Sequence, residues 1–232
     1  MIGFIKLIRE IELVAIVYEP KKIDMQDWFS KQTYQLFPVN SKKELAEACN
    51  KLKALSEYAV MYNFGIIVPQ EVVDKLCIFN FHAGDLRMNR GSSPINWSIL
   101  LGEKYTSMTL YKITEEIDSG DIVCEHRCKI YRHDVVPTVR ARMEGEIPSM
   151  LMDLYQYISQ GNHSICSVTN GTYRPRLSES DFIINSDDDE DVIKSKIRSQ
   201  YEFKGAIVID DTGNKEYVRS YDEYLVIINR KA

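Results

Sequence analysis

The sequence predicts an α/β protein: a mostly parallel sheet flanked by helices, followed by a small C-terminal β-rich subdomain. Three observations carry this. The apolar pattern switches between periods of about two and about 3.6, as in strands alternating with helices. Dense β-branched runs such as ELVAIVYEP (12–20) read as buried strands. Strand, helix and strand follow closely between 58 and 82, the pattern of parallel βαβ units.

Taken in order, MIGFIKLIRE (1–10) has room only for a helix, and ELVAIVYEP is a strand ended by proline. SKKELAEACNKLKALS (41–56) has a serine start, helix formers throughout and apolar residues at helical spacing; it predicts a helix with an N-cap. YAVMYNFGIIVP (58–69) is a strand with Gly65 near its end, and PQEVVDKLC (69–77) a short helix opened by proline. IFNFH (78–82) is the next strand. SPINWSILLGEK (93–104) is a helix ended by Gly102. SMTLYKIT (107–114) and DIVCEHRCKIY (121–131) are strands flanking the loop EEIDSG. Residues 135–161 read as helix, with Pro148 marking a kink or break.

After residue 175 the character changes. Residues 185–201 predict a helix with an acidic first turn, and 205–231 a small antiparallel hairpin group with DDTGN as its turn. The expected division is 1–175 for the main domain and 176–232 for the appendage.

Composition narrows the function classes. With 232 residues, the chain can bury a sizeable core without disulfides or metal. A net charge of −5 argues against a nucleic-acid partner, because neutralising phosphates needs a dense basic face. The five cysteines are odd in number and irregular in spacing, so free thiols in a reducing compartment are expected. No apolar run reaches membrane-span length and no secretory layout opens the chain, so a cytoplasmic protein is expected.

The chemistry centres on FNFHAGDLRMNRGSSP (79–94). Asn80 and His82 stand two apart where a strand runs out, so both side chains face one side, roughly 6.6 Å apart. The carboxyl ends of parallel strands form the ligand crevice of α/β sheets. Asp118 sits in the EEIDSG loop, followed by Gly120, which permits a tight turn. Amide, imidazole and carboxylate together suit acyl transfer: an oxyanion donor, a group that carries charge or a proton, and a partner for the imidazole. No Ser or Cys stands in a nucleophile elbow, so direct attack by an amine fits better than an acyl-enzyme. On these residues alone, the Asn-x-His pair is equally readable as strand-end structure, and Asp-Ser-Gly is a common turn sequence.

The ordered set NFH (80–82), RGSSPINWSILLGE (90–103), MTLYKI (108–113) and IDSGDI (117–122), with MYNFGIIVPQEVVD (61–74) upstream, resembles the folate-dependent formyltransferases. RPRLSESDFII (174–184) resembles the family's link into its C-terminal region. The resemblance implies a Rossmann-like fold, N10-formyltetrahydrofolate as donor and a primary amine as acceptor. It implies Asn80, His82 and Asp118 as the catalytic trio. Asn80 and protonated His82 would stabilise the oxyanion; Asp118 would support His82 and help carry off the amine proton. It implies a pterin held by Met61, Tyr62, Phe64, Gly65 and Ile66, and by the main chain around Ile113, Glu115, Glu116 and Ile117. Arg90, Gly91, Ser92, Ser93 and Trp97 would line the acceptor side.

The chain departs from the family in three places. HAGDLRMN replaces the His-x-Ser-Leu-Leu-Pro of many relatives, on the acceptor side. A first strand before the helix at 1–10 is not seen, which predicts a gap near the middle of the sheet. The C-terminal part is short for a second barrel. Of the acceptor branches, the sugar-nucleotide branch is favoured: a small-molecule amino-deoxysugar on a nucleotide, with a homodimer expected by analogy. The initiator-tRNA branch matches best by motif. A peptide-synthetase acceptor and a non-catalytic folate binder stay open. No metal is expected: Cys124, His126 and Cys128 on one strand spread over about 13 Å, too far for one ion. DDDED (187–191) reads as acidic residues at a helix start. His133 and His163 have no assigned partner.

Overall fold

The computed structural model describes residues 14–18, 35–62, 64, 66–161, 166–168 and 170–230. The helix expected at 1–10, together with Gly65 and His163, lies outside the described residues. The chain divides into two compact units, each assembled from three stretches.

The first unit draws on Met1–His82, Thr109–Glu125 and Ile147–Gly171. The chain forms a seven-stranded sheet in the order β2-β1-β3-β4-β5-β6-β7. The strands are β1 (Val14–Tyr18), β2 (Gln35–Val39), β3 (Tyr58–Tyr62), β4 (Cys77–His82), β5 (Tyr105–Lys112), β6 (Gly120–Lys129) and β7 (Cys166–Val168). β1 pairs in parallel with β2 and β3, and β3 with β4; β5 then runs antiparallel to β4, and β7 to β6. The sheet is therefore mixed, and β4 is the strand at which its direction changes. The gap expected near the middle is absent from the described sheet. Val14, Ala15 and Ile16 of β1 pair directly with Ala59, Val60 and Met61, so those backbone groups find partners without an intervening strand.

Helix α1 (Lys42–Leu55) forms where the serine start was read. The Ser41 hydroxyl accepts from the Glu44 N–H, and Glu44 reaches back to the Asn40 N–H. Leu45, Cys49 and Leu52, at helical spacing, are buried against Ala59, Met61 and Ile78 of the sheet. Replacing Ser41 by alanine is expected to cost about 1 kcal/mol, read as a lowered urea midpoint with an unchanged slope. α2 (Gln70–Val73) is a single turn begun by Pro69. The other face of β4 is aromatic core: Phe79 lies 5.9 Å edge-on from Tyr157 and 6.5 Å from Tyr58.

The single helix expected at 135–161 is two, α4 (Val136–Glu144) and α5 (Ile147–Ser159). The break falls at Gly145–Glu146. Pro148 sits in the first turn of α5, where its missing N–H costs nothing.

The second unit draws on Ala83–Met108, His126–Glu146 and Thr172–Ala232. It holds α3 (Pro94–Leu100), α4, α6 (Glu190–Ser199), the hairpin β8 (Ala206–Ile209)–β9 (Lys215–Val218) and α7 (Tyr221–Asn229). The acidic run does cap a helix: Asp189 accepts from the Val192 N–H. DDTGN is the hairpin turn, where the exposed Asp210 carboxylate is held at about 2 by the hydroxyl of Thr212 and the N–H groups of Asn214 and Thr212. Residues 221–229, expected as part of the β group, are helical instead. Ser220 is the N-cap, with the Ser220 hydroxyl accepting from the Glu223 N–H, and the Glu223 carboxylate accepts from the Arg219 N–H. That local start signal outweighs the strand propensity of Val226, Ile227 and Ile228. Among the described residues, no helix is long and apolar enough to cross a membrane.

A half-buried ion pair braces this unit. Arg142 clamps both oxygens of Asp134 at 2.9 Å, and the Tyr131 N–H and Thr138 hydroxyl add two more bonds. Burial pushes the Asp134 carboxyl up, but these donors outweigh it and hold it below the ordinary carboxylate range. A carboxyl lowered in the folded state stabilises the fold above its unfolded value and loses that contribution as pH falls through the folded value. Asp134→Asn is expected to cost about 2 kcal/mol at pH 7. The difference from the parent, measured by urea unfolding, should shrink below about pH 4.

Candidate active site

All three residues of the predicted trio lie in the first unit, and the structure brings them together. β4 ends on His82, as the sequence reading expects. In the antiparallel register Asn80 faces Tyr111 and His82 faces Thr109, so these four share one face of the sheet. Asp118 arrives from the β5–β6 connection. Its backbone is left-handed, with φ 49°, a conformation that aspartate tolerates. The turn is tied inside: the Thr114 hydroxyl donates to the Ser119 carbonyl at 2.9 Å, and the Ser119 N–H to the Glu116 carbonyl at 3.3 Å. Gly120, at φ +136°, closes it; a Cβ there would stand 2.1 Å from the Lys112 carbonyl oxygen.

The side chains converge on one carboxylate. His82 Nδ1 lies 3.8 Å from Asp118 Oδ1, with the His82 side chain 6% and the Asp118 side chain 14% exposed. The Tyr111 hydroxyl donates to the same oxygen at 2.9 Å, and Asn80 Nδ2 donates to the Tyr111 oxygen at 3.2 Å. Tyr111 was not singled out in the sequence. Its signal was its place in TLYKI: a polar-tipped aromatic one strand away from Asn80, visible only once the register is known.

The described residues expected around a pterin also lie in the first unit. Phe64, Ile66 and Ile113 are half-buried against the core. Tyr62 is half-buried beside them in sequence, and Glu115, Glu116 and Ile117 are exposed on the turn. The Met61 side chain is itself core, 1% exposed, and its backbone stands in register between Ile16 and Asn80 in the sheet. Half-buried apolar side chains together with an exposed run of main chain suit a flat heterocycle with an amide-like edge.

The expected acceptor residues gather in the second unit. Arg90 is buried, and its backbone pairs with residues 172–174: Arg90 N–H to Thr172 O at 3.1 Å and Arg174 N–H to Arg90 O at 2.8 Å. Gly91 has φ +113°, and any side chain would strike the Arg174 carbonyl. Ser92 is exposed, and Ser93 precedes the first turn of α3. The Trp97 indole N–H donates to the Pro175 carbonyl at 2.9 Å, with the Arg174 guanidinium 5.6 Å above its ring. The RPR segment therefore straps the loop that the sequence assigned to the acceptor.

In the CEHRC stretch Cys124 and His126 each have a carboxylate neighbour. Burial, then the neighbouring Asp153 carboxylate, pushes the Cys124 thiol far above its usual range. His126 Nδ1 pairs with Glu146 at 2.9 Å. Cys49, Cys77, Cys124 and Cys128 are free thiols.

The sheet thus carries an amide, an imidazole and a carboxylate where it changes from parallel to antiparallel. Residues 16–154, more than half of the chain, match the formyl transferase family, and the chain belongs to that family. It is 34% identical over 160 residues to the methionyl-tRNA formyltransferase of Neisseria gonorrhoeae, covering 66% of this chain and 52% of that protein. The chain spans between half and two-thirds of the length of the curated relatives it matches first, 65% in one and 52% in another. Solved structures share the fold. A sugar N-formyltransferase from a Shewanella species superposes with a TM-score of 0.68 at 22% identity, over 90% of this chain and 96% of that one. HypX of Aquifex aeolicus, solved with tetrahydrofolic acid, does so with a TM-score of 0.72 at 16% identity, over 88% of this chain and 36% of that one.

Proposed function

We propose that the chain transfers a formyl group from N10-formyltetrahydrofolate to the primary amine of a nucleotide-linked amino sugar. The observation that supports the chemistry is the junction at Asp118 Oδ1, which accepts from Tyr111 and lies within ion-pair reach of His82, with Asn80 joined to it through the Tyr111 oxygen. When bound, the folate supplies an activated formyl carbonyl. Asn80 Nδ2 offers an N–H to the oxygen on which negative charge develops. His82 supports that charge, and Asp118 supports His82 and helps carry off the proton of the attacking amine, while the bond from the formyl carbon to N10 breaks and tetrahydrofolate leaves. No residue needs to form a covalent acyl intermediate.

The sugar acceptor is favoured by the net charge of −5, which gives little purchase on a polyanionic tRNA, and by the sugar N-formyltransferase among the structures of the same fold. A second reading, transfer to an aminoacyl-tRNA, draws on the 34% identity to a methionyl-tRNA formyltransferase.

The test supplies N10-formyltetrahydrofolate with 3-amino and 4-amino deoxysugar nucleotides and, separately, methionyl-tRNA. Tetrahydrofolate release and product mass are followed. One formyl group gained by a sugar nucleotide is the expected result. Formylation of methionyl-tRNA alone would overturn the acceptor while keeping the chemistry. Folate binding with no transfer to any amine would overturn the chemistry.

A further inference from the structure

We infer that Tyr111 is a positioning residue for formyl transfer, fixing the orientation of the Asn80 amide and the place of the Asp118 carboxylate. The inference rests on the formyl-transfer reading of this site. Its basis is a directed chain of hydrogen bonds. An ionised carboxylate only accepts, so the 2.9 Å contact between the Tyr111 oxygen and Asp118 Oδ1 must use the phenol's own proton. The phenol oxygen then has only lone pairs left for Asn80, so Asn80 must present Nδ2 to it, as it does at 3.2 Å. The polarity of the chain runs Asn80 to Tyr111 to Asp118, and it settles which end of the amide points where.

Two consequences follow. One N–H of the Asn80 amide is taken by Tyr111, and its partner N–H is aimed by the planarity of the amide; a flipped amide would turn a carbonyl toward the developing negative charge. The same phenol anchors the oxygen of Asp118 that faces His82 Nδ1 at 3.8 Å. A carboxylate on a seven-residue connection is thus tied back to the middle of a strand. Tyr111 itself is 3% exposed and opposite Asn80 in register, so its ring has little freedom to leave. The phenol bonds two of the groups that act, and its role runs through them.

Tyr111→Phe removes one oxygen and keeps the ring. The parent and the variant are compared for turnover at saturating N10-formyltetrahydrofolate and amine, for KM of each, for tetrahydrofolate affinity by calorimetry, and for thermal midpoint. The expected result is a fall in kcat of about 10- to 100-fold with both KM values and the tetrahydrofolate affinity within about two-fold, since the loss falls on the transition state. Unchanged kcat would overturn the inference. So would a fall in kcat matched by a comparable loss of folate affinity, which marks a general distortion. A parent protein that binds tetrahydrofolate yet transfers to no amine overturns the formyl-transfer reading instead, and that outcome is read before the variant is compared. Tyr111→Leu, which also deletes the ring, should lower the thermal midpoint where Tyr111→Phe does not.

Discussion

Alanine at position 82 is expected to lower formyl transfer by about a thousand-fold or more, with the thermal midpoint and tetrahydrofolate affinity little changed. His82 is 6% exposed and closes β4, with its imidazole toward Asp118 Oδ1 at 3.8 Å. Removing it takes away the group that meets the developing charge and the partner with which Asp118 helps carry off the amine proton, two effects each worth about 10²-fold or more. Asn80 and Tyr111 remain paired, so the oxyanion donor survives and some turnover persists. Asp118→Asn should fall in the same range. The amide keeps a hydrogen-bonding oxygen for Tyr111 but loses the charge that supports the imidazole. Steady-state kinetics on both variants, with circular dichroism and a tetrahydrofolate titration as controls, decides the matter. Turnover within ten-fold of the parent in either variant would sink the assigned roles.

Alanine at Gly120 is expected to destabilise the chain by about 3 kcal/mol and to disable the site as well. At φ +136° a side chain is strained wherever it points, at a cost of about 1–3 kcal/mol. Here the new Cβ would also lie 2.1 Å from the Lys112 carbonyl and 3.1 Å from the Thr114 methyl. Backbone cannot move aside as a side chain would, so the β5–β6 connection must open. That opening displaces Asp118, two residues earlier, from His82 and Tyr111. Urea unfolding should show the lost stability. Activity should fall even at temperatures where the variant stays folded, because a displacement of about 1 Å is enough to cost roughly 100-fold. A variant of parental stability would show that the turn has another way to relax.

Much of the site was legible in the chain because its parts are local. Asn80 and His82 stand two residues apart on a strand whose apolar neighbours Ile78, Phe79 and Phe81 announce it. Gly120 marks a turn because only glycine takes that backbone cheaply. Ser41 and Asp189 begin helices with the hydrogen bonds their side chains make within three residues. Where local signals competed, the reading failed. Val226, Ile227 and Ile228 favour a strand, yet the Ser220 N-cap starts a helix. The helix expected through 135–161 stops at Gly145–Glu146, which neither spacing nor Pro148 placed correctly.

What the sequence by itself determined about this protein is its periodic elements, its acyl-transfer residue types and its family, since each is written in contacts between near neighbours. The tertiary structure alone decided which residues complete the site. Tyr111 is 31 positions from Asn80, and no pattern along the chain predicts that one phenol bridges an amide and a carboxylate. The structure also decided that β1 pairs directly with β3, closing the sheet where a gap was expected. Register sets both outcomes: a shift of one residue turns every side chain to the opposite face, and register is fixed by packing across strands rather than by spacing within them.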